Sequence, residues 1–317
     1  LHFYPIASAA GAVELLSQEG SEMRCLAVLI CIAASVPLRA DLLVSRGSFG
    51  VDGYTDEGVF LGTLIAPGAG GLSEARGVAV APNGDLLVGD FLNDRILRFT
   101  ANGVFLNVFS SDAAVDSPFD VVIGTGGDVF VASAGPTSNI ARLDANTGLV
   151  ITPSFTSGNV TPVGVPQYLE FGPALALTDV AGHLFRFDPI TGAHISTGTF
   201  DNPEGVAYNA AGDLFLAQRI SDNIIKIPAG GGPAEVIIPS GTFPESPLDI
   251  EFGPTGLLYV SADAIYRFDV SGPTGVLVDS FGTGGEFLVF TAIPEPGAWA
   301  LTSASVVLLA IFRRRRR

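Results

Sequence analysis

The chain has 317 residues, with 32 acidic against 16 basic side chains and a net charge of -16, and it is rich in glycine and proline. An acidic body repels phosphate, which argues against nucleic acid as a partner. Its two cysteines, Cys25 and Cys31, fall in one apolar run near the start, so a disulfide framework and any cysteine-based metal or catalytic site are excluded from the main body.

In chain order, residues 1–22 carry no methionine and no clear pattern, and read as upstream sequence from a misplaced start. Met23 is followed by Arg24, the apolar run Cys25–Val36, and Pro37-Leu38-Arg39-Ala40. A charged start, a short apolar core and a small residue at the exit make residues 23–40 an expected secretory signal peptide, cleaved after Ala40 and read by the Sec translocon.

The body, residues 41–292, is organised on one template, Ala75–Phe109. Its apolar runs Gly77–Ala81, Leu86–Val88, Arg95–Phe99 and Val104–Phe109 are separated by turn signals such as Pro82-Asn83-Gly84-Asp85 and Ala101-Asn102-Gly103. Asn-Gly readily takes the positive φ that a tight hairpin needs, so the template predicts a four-stranded antiparallel meander. Copies follow at Ser117–Val150, Asn202–Ile238 and Ser246–Phe281, with a degenerate one at Val165–Phe200. The first-turn glycines Gly84, Gly127, Gly212 and Gly256 recur at about 43 residues, with one double step, a period that belongs to propeller blades.

Closure is also written in the chain. Leu42–Leu64 matches the last three strands of a blade, down to the Gly-Val-Phe-Leu at Gly58–Leu61 that returns at Gly103–Leu106. It lacks a first strand, and Glu286–Thr291 is a spare strand at the far end. Pairing the two makes a composite blade, and the fold expected is an all-β, six-bladed β-propeller, nearly free of helix.

The connections entering the innermost strands carry Arg76, Asp120, Gln167, Glu204 and Asp249, which would gather at one mouth of the channel. Three carboxylates there, Asp120, Glu204 and Asp249, are candidate ligands for Ca²⁺ or another hard divalent cation; a solvated acidic mouth is the other reading. His183 is the one histidine able to reach that face, while His194 falls on an outer strand. Gly124–Gly127 and Gly282–Gly285 precede strands rather than helices, so they are turns and not phosphate cradles.

The chain ends in Pro294-Glu295-Pro296, an apolar run Ala298–Phe312, and the cluster Arg313, Arg314, Arg315, Arg316 and Arg317. The run suits a transmembrane helix whose basic end stays cytoplasmic, which would leave the body facing outward. Residues 293–317 resemble the PEP-CTERM sorting signal of Gram-negative bacteria. That resemblance implies recognition and cleavage by an exosortase, an inner-membrane stage before release to the surface or outside, and a link to exopolysaccharide or biofilm.

The blades at Ala75–Phe109 and Asn202–Ile238 resemble NHL repeats and, more loosely, gluconolactonase-like and streptogramin-lyase-like propellers. The second likeness implies a divalent metal at the mouth held by Glu, Asp and Asn, with Glu204 the best match, and a His such as His183 as base. Two functions stay open: a surface module binding a polysaccharide, a protein or a small molecule, and a metal-dependent lactonase-like hydrolase or lyase.

Overall fold

The computed structural model describes residues 42–136, 138–156 and 164–291. Strands Leu42–Ser45 (β1), Val51–Tyr54 (β2) and Phe60–Ile65 (β3) come first, followed by a blade of Ala75–Val80 (β4), Leu86–Asp90 (β5), Arg95–Phe99 (β6) and Phe105–Ser110 (β7). The second whole blade is Pro118–Ile123 (β8), Val129–Ser133 (β9), Asn139–Leu143 (β10) and Val150–Thr152 (β11). The third is Pro166–Phe171 (β12), Leu175–Asp179 (β13), His183–Phe187 (β14) and His194–Thr199 (β15). The fourth is Pro203–Tyr208 (β16), Leu214–Gln218 (β17), Asn223–Ile227 (β18) and Glu235–Ile238 (β19). The fifth is Ile250–Phe252 (β20), Leu258–Ser261 (β21), Ile265–Asp269 (β22) and Val276–Phe281 (β23), and Phe287–Phe290 (β24) ends the described chain.

These strands form six sheets of four, and β24 pairs with β1 to complete the composite sheet β24-β1-β2-β3. The register is Leu42 opposite Phe290 through Ser45 opposite Phe287, so the two ends of the ring are joined by backbone hydrogen bonds. The innermost strands contact one another in the closed order β24, β4, β8, β12, β16, β20. The architecture is therefore the six-bladed propeller expected, and the short 3₁₀ turns at Ala69–Gly71 and Phe91–Asn93 are its only helical pieces among the described residues. No helix among those residues is long and apolar enough to cross a membrane. The expected signal peptide, the Pro-Glu-Pro motif, the apolar run expected to span a membrane and the arginine cluster lie outside the described residues.

The turn glycines explain the period. Gly84, Gly127, Gly212 and Gly256 have φ of 84, 87, 83 and 82°, a region that costs a side-chain-bearing residue free energy. The core is six clusters rather than one, each spanning two neighbouring blades. Phe130 and Ile140, for example, pack with Leu175 and Phe187 of the next blade. A blade alone would expose both faces, which is why the ring must close.

A second repeated device was not evident from sequence. The last residue of each second strand is polar and buried: Asp90, Ser133, Asp179, Gln218, Ser261 and Ser45. In the whole blades it pins an inter-blade connection. Asp90 Oδ1 accepts the Ser73 N–H at 2.9 Å, Ser133 Oγ donates to the Ala114 carbonyl at 2.7 Å, and Asp179 Oδ2 accepts the Gly164 N–H at 2.7 Å. Ser261 Oγ both donates to the Gly285 carbonyl at 2.6 Å and accepts its N–H at 2.8 Å, steering the chain into β24.

Phe287 is 4% exposed, so removing its ring should open a cavity at the closure. Phe287→Ala is expected to cost about 3–5 kcal/mol, lowering the melting temperature by about 6–20 °C for a domain of this size. Val276→Ala, on an outer strand and 63% exposed, should shift it by little more than a degree. Equal shifts in thermal melts of the two variants would show that β24 does not carry the closure.

Candidate functional site

Four of the six innermost strands, β4, β8, β12 and β16, begin at the near face of the ring with an irregularity. Pairing slips between Ala75 and Val78, Pro118 and Asp120, Pro166 and Leu169, and Pro203 and Val206. One extra residue in the inner strand is a β-bulge, and it re-aims the side chains beside it. The residues expected to share the mouth fall into two sets. Arg76, Gln167 and Glu204 stand one position before Gly77, Tyr168 and Gly205, whereas Asp120 and Asp249 are at the later position.

At that later position the ring reads Gly77, Asp120, Tyr168, Gly205, Asp249, Phe287. With six inner strands in closed order, Gly77 is opposite Gly205, Asp120 opposite Asp249, and Tyr168 opposite Phe287. The two aromatic rings meet across the axis with centroids 4.7 Å apart, and Phe119 packs edge-on to each at 5.5 Å. The Tyr168 hydroxyl donates to the Glu286 carbonyl at 3.3 Å, also across the axis. These aromatics fill the channel just below its mouth.

The two aspartates latch neighbouring blades. Asp120 Oδ2 accepts the Leu169 N–H of the next inner strand at 2.8 Å, and Oδ1 accepts the Val121 N–H at 2.7 Å. Asp249 repeats this with Leu288 at 2.7 Å and Ile250 at 2.9 Å. Glycine precedes each latch because a Cβ at Gly77 would lie 2.5 Å from the Asp120 Cα, and one at Gly205 would lie 2.5 Å from the Asp249 Cα. Burial pushes Asp120 up to about 7 and Asp249 well above the usual carboxylate range, against the amide N–H groups that favour their charged forms.

Glu204 is 2% exposed and held from three sides. Its Oε1 accepts from Arg219 Nη1 at 3.3 Å and from Asn202 Nδ2 at 3.4 Å, and its Oε2 from Gln167 Nε2 at 3.4 Å. Burial raises its pKa, with the charges of Arg219 and, from across the ring, Arg76 opposing. Arg76 donates through Nε to Glu74 at 2.8 Å and pairs with Glu286. Its guanidinium stands 5.0 Å from the Phe91 ring centroid and 5.1 Å from that of Phe119, a cation–π sandwich at the mouth. His183 opens β14, two strands out from the axis, with Nδ1 3.1 Å from Asp179 Oδ2. It therefore rests on a carboxylate that already pins the incoming connection, while His194 is exposed on an outer strand as expected.

The three carboxylates read as converging do not meet: Asp120 and Asp249 are spent on backbone amides and Glu204 on Arg219, Asn202 and Gln167. Among the described residues no group of three or more His, Cys, Asp or Glu side chains is placed to hold a metal ion. The donor set thus does not fit a resident divalent cation.

Two channel residues escaped the sequence reading. Glu170 and Glu251 lie two positions beyond Tyr168 and Asp249, on the same side of their strands. Both are half-buried by accessible area, yet the channel walls desolvate them. Burial, then the charges of Glu251, Asp120 and Asp249, drive Glu170 well above the ordinary range. Burial, then Asp120, pushes Glu251 up to about 8. The available signal was Leu-Glu-Phe at 169–171 and Ile-Glu-Phe at 250–252, a charge inside an otherwise apolar strand.

No family model matches the chain, and no curated protein matches it. Solved structures do. A gluconolactonase from Xanthomonas campestris is 17% identical at a TM-score of 0.55, over 66% of this chain and 77% of that one. A catalytically inactive virginiamycin B lyase from Staphylococcus aureus, with quinupristin, is 14% identical at 0.55, over 76% and 85%. A chain of a nidogen–laminin complex is 14% identical at 0.60, over 76% and 92%. The likeness is one of fold. Two of these propellers are enzymes and one sits in a protein–protein complex, so the fold itself decides no activity.

The channel carboxyls have a consequence for stability. A carboxyl whose folded pKa is raised stabilises fully below its unfolded value of 4.5, and that contribution is lost as pH rises through the folded value, about 8 for Glu251. The melting temperature should therefore fall by several degrees between pH 5 and pH 8.5. The double variant Glu170→Gln, Glu251→Gln should flatten this slope and melt higher than the wild type at the alkaline end. A wild-type melting temperature that rises with pH over this window would refute the assignment.

Proposed function

We propose that the ring is a binding module that presents its near face, around Arg76, to a polysaccharide. The observation carrying this reading is that the mouth is closed a short way down by Phe119, Tyr168 and Phe287, while the carboxylates that could have formed a metal site are engaged in holding blades together. What remains available is a rim of paired charges and aromatic edges: Glu74, Arg76 and Glu286 beside Phe91 on one side, and the half-exposed Arg219, tethered to the buried Glu204, on the other. Carboxylate and guanidinium groups offer sugar hydroxyls complementary acceptors and donors, and aromatic edges cover the apolar faces of the rings.

The address belongs to the same proposal and rests on the ends of the sequence. Export through the Sec translocon, an inner-membrane stage, exosortase processing near Pro294-Glu295-Pro296, and a place in exopolysaccharide or biofilm fit an outward-facing binding module. A metal-dependent lactonase-like hydrolase or streptogramin-lyase-like enzyme is the second reading. It is favoured by the folds of the gluconolactonase and the virginiamycin B lyase, and by the raised carboxyl of Glu204 beside Arg219.

Affinity electrophoresis of the purified protein in gels containing neutral or acidic polysaccharide tests the first reading. Retardation by at least one polysaccharide is expected, weakened about tenfold by Arg76→Ala, which removes the rim's central cation. Stoichiometric divalent metal in the purified protein, together with turnover of lactones, would replace it with the second. Sorting is tested separately: a tagged chain should lose its C-terminal segment in an exosortase-positive cell and keep it in a cell lacking that enzyme. Persistence of the full-length anchored protein in both would remove the sorting claim.

A further inference from the structure

Among the described residues every lysine and arginine but one is ion-paired with a carboxylate, from Arg46 with Asp52 to Arg267 with Asp279. The exception is Arg186. It is half-buried on β14, directly opposite Ala176 on β13 and Ser196 on β15. Neither neighbour is charged, and no group among the described residues accepts a hydrogen bond from its guanidinium.

The repeat explains why this base stands alone. In the first two whole blades the corresponding position is Arg98 or Arg142, and the acid follows the turn glycine as Gly84-Asp85 or Gly127-Asp128. Those pairs are close, Arg98 Nη2 to Asp85 at 2.6 Å and Arg142 Nη2 to Asp128 at 2.6 Å. The third whole blade has Gly172-Pro173-Ala174 at its turn, so the base is present without its acid. The nearest acid in the same cross-strand row is Glu170, opposite Ala176 on its other side. Burial among other carboxyls raises the Glu170 pKa well above the ordinary range, which disfavours its charged form.

What surrounds Arg186 is suited to an anion. The row Glu170–Ala176–Arg186 faces the fourth whole blade, and Ala176 packs in a cluster with Leu214 and Ile227 of that blade. Tyr208 of β16 leans on the turn, where a Cβ at Gly172 would lie 2.6 Å from its ring Cγ, and the Arg186 charge acts on its phenol. Burial pushes the Tyr208 phenol up to about 12, so its O–H stays on. Among the described residues that O–H has no hydrogen-bond acceptor.

We propose that the seam between the third and fourth whole blades, on the face of the ring opposite the channel mouth, is a subsite for a single carboxylate group held by the Arg186 guanidinium and the Tyr208 hydroxyl. A planar carboxylate matches the two-pronged donor geometry of a guanidinium. A body of net charge -16 penalises every further negative charge, which selects a monoanion over a phosphate dianion. A half-buried guanidinium without a counter-ion loses solvation that a bound carboxylate restores. The site is independent of the mouth, so its failure would leave the reading of the near face untouched.

Side-chain NMR of arginine-labelled protein tests it directly, with sodium acetate, D-galacturonate and inorganic phosphate as probes at constant ionic strength. A saturable shift of the Arg186 Nε–H signal by both carboxylates in the millimolar range, with phosphate weaker, is expected. Galacturonate binding more tightly than acetate would add that the carboxylate belongs to an acidic sugar; equal binding would assign the site to the carboxylate alone. Arg186→Gln should weaken binding about tenfold and Tyr208→Phe by a smaller factor, whereas Arg98→Gln, which breaks a paired arginine in the same row of another blade, should leave it unchanged. An Arg186 signal unmoved at tens of millimolar carboxylate, tighter binding of phosphate, or an equal loss in Arg98→Gln would overturn the proposal. The titration of the wild-type protein needs no substitution, so misfolding of a variant does not blunt it.

Discussion

Six inner strands converge on one axis, and the space they leave has to be filled without unpaired polar groups. Everything else in this ring depends on how that is done. The solution is a sequence of three side chains used twice around the axis: glycine, aspartate, aromatic. Glycine at 77 and at 205 lets the neighbouring strand approach closely, aspartate at 120 and at 249 ties that strand to the one beyond, and Tyr168 and Phe287 meet in the middle. The ring is thereby two three-blade halves related by a pseudo-twofold axis. The same halves are visible in the chain as Gly-Val-Ala at 77–79 and 205–207, and as Ser-Pro-x-Asp at 117–120 and 246–249.

This arrangement explains why the last strand matters more than its length suggests. β24 supplies Phe287, one of the two aromatics on the axis, and its Leu288 N–H receives the second aspartate latch. The closing strand is at once the seal of the sheet and half of the axial plug. Ser261 holds the glycine before it from both sides, so the geometry of closure is set before β24 begins.

The blades were legible in the sequence because their signal has no chemical substitute. A turn that needs positive φ recruits glycine, so Gly84, Gly127, Gly212 and Gly256 announce the period. The composite blade was legible for a related reason: a strand pattern missing at one end and spare at the other has few other ways to bury itself. The site was less legible. An offset of one position along a strand leaves composition unchanged, so Asp120 and Asp249 read as companions of Glu204 although the chain turns them to a different job. The connection pins were hidden because Asp, Ser and Gln perform the same task at Asp90, Ser133 and Gln218, and a pattern search keyed to residue type passes over them.

The misreading of Asp120 and Asp249 bears on function. Buried carboxylates in a channel suggest chemistry because burial raises their proton affinity, as it does at many catalytic sites. Here the two aspartates each accept two backbone amides, which is the work of a fastener, and Glu170 and Glu251 are held below a plug of aromatics. Proton affinity alone does not separate the two cases; the hydrogen-bond partners do. Asp120 and Asp249 are buried and bonded through both oxygens to main-chain donors, which leaves little room beside them for a metal or a substrate. Among the described residues the base that retains unspent donors, Arg186, lies elsewhere, away from the channel mouth.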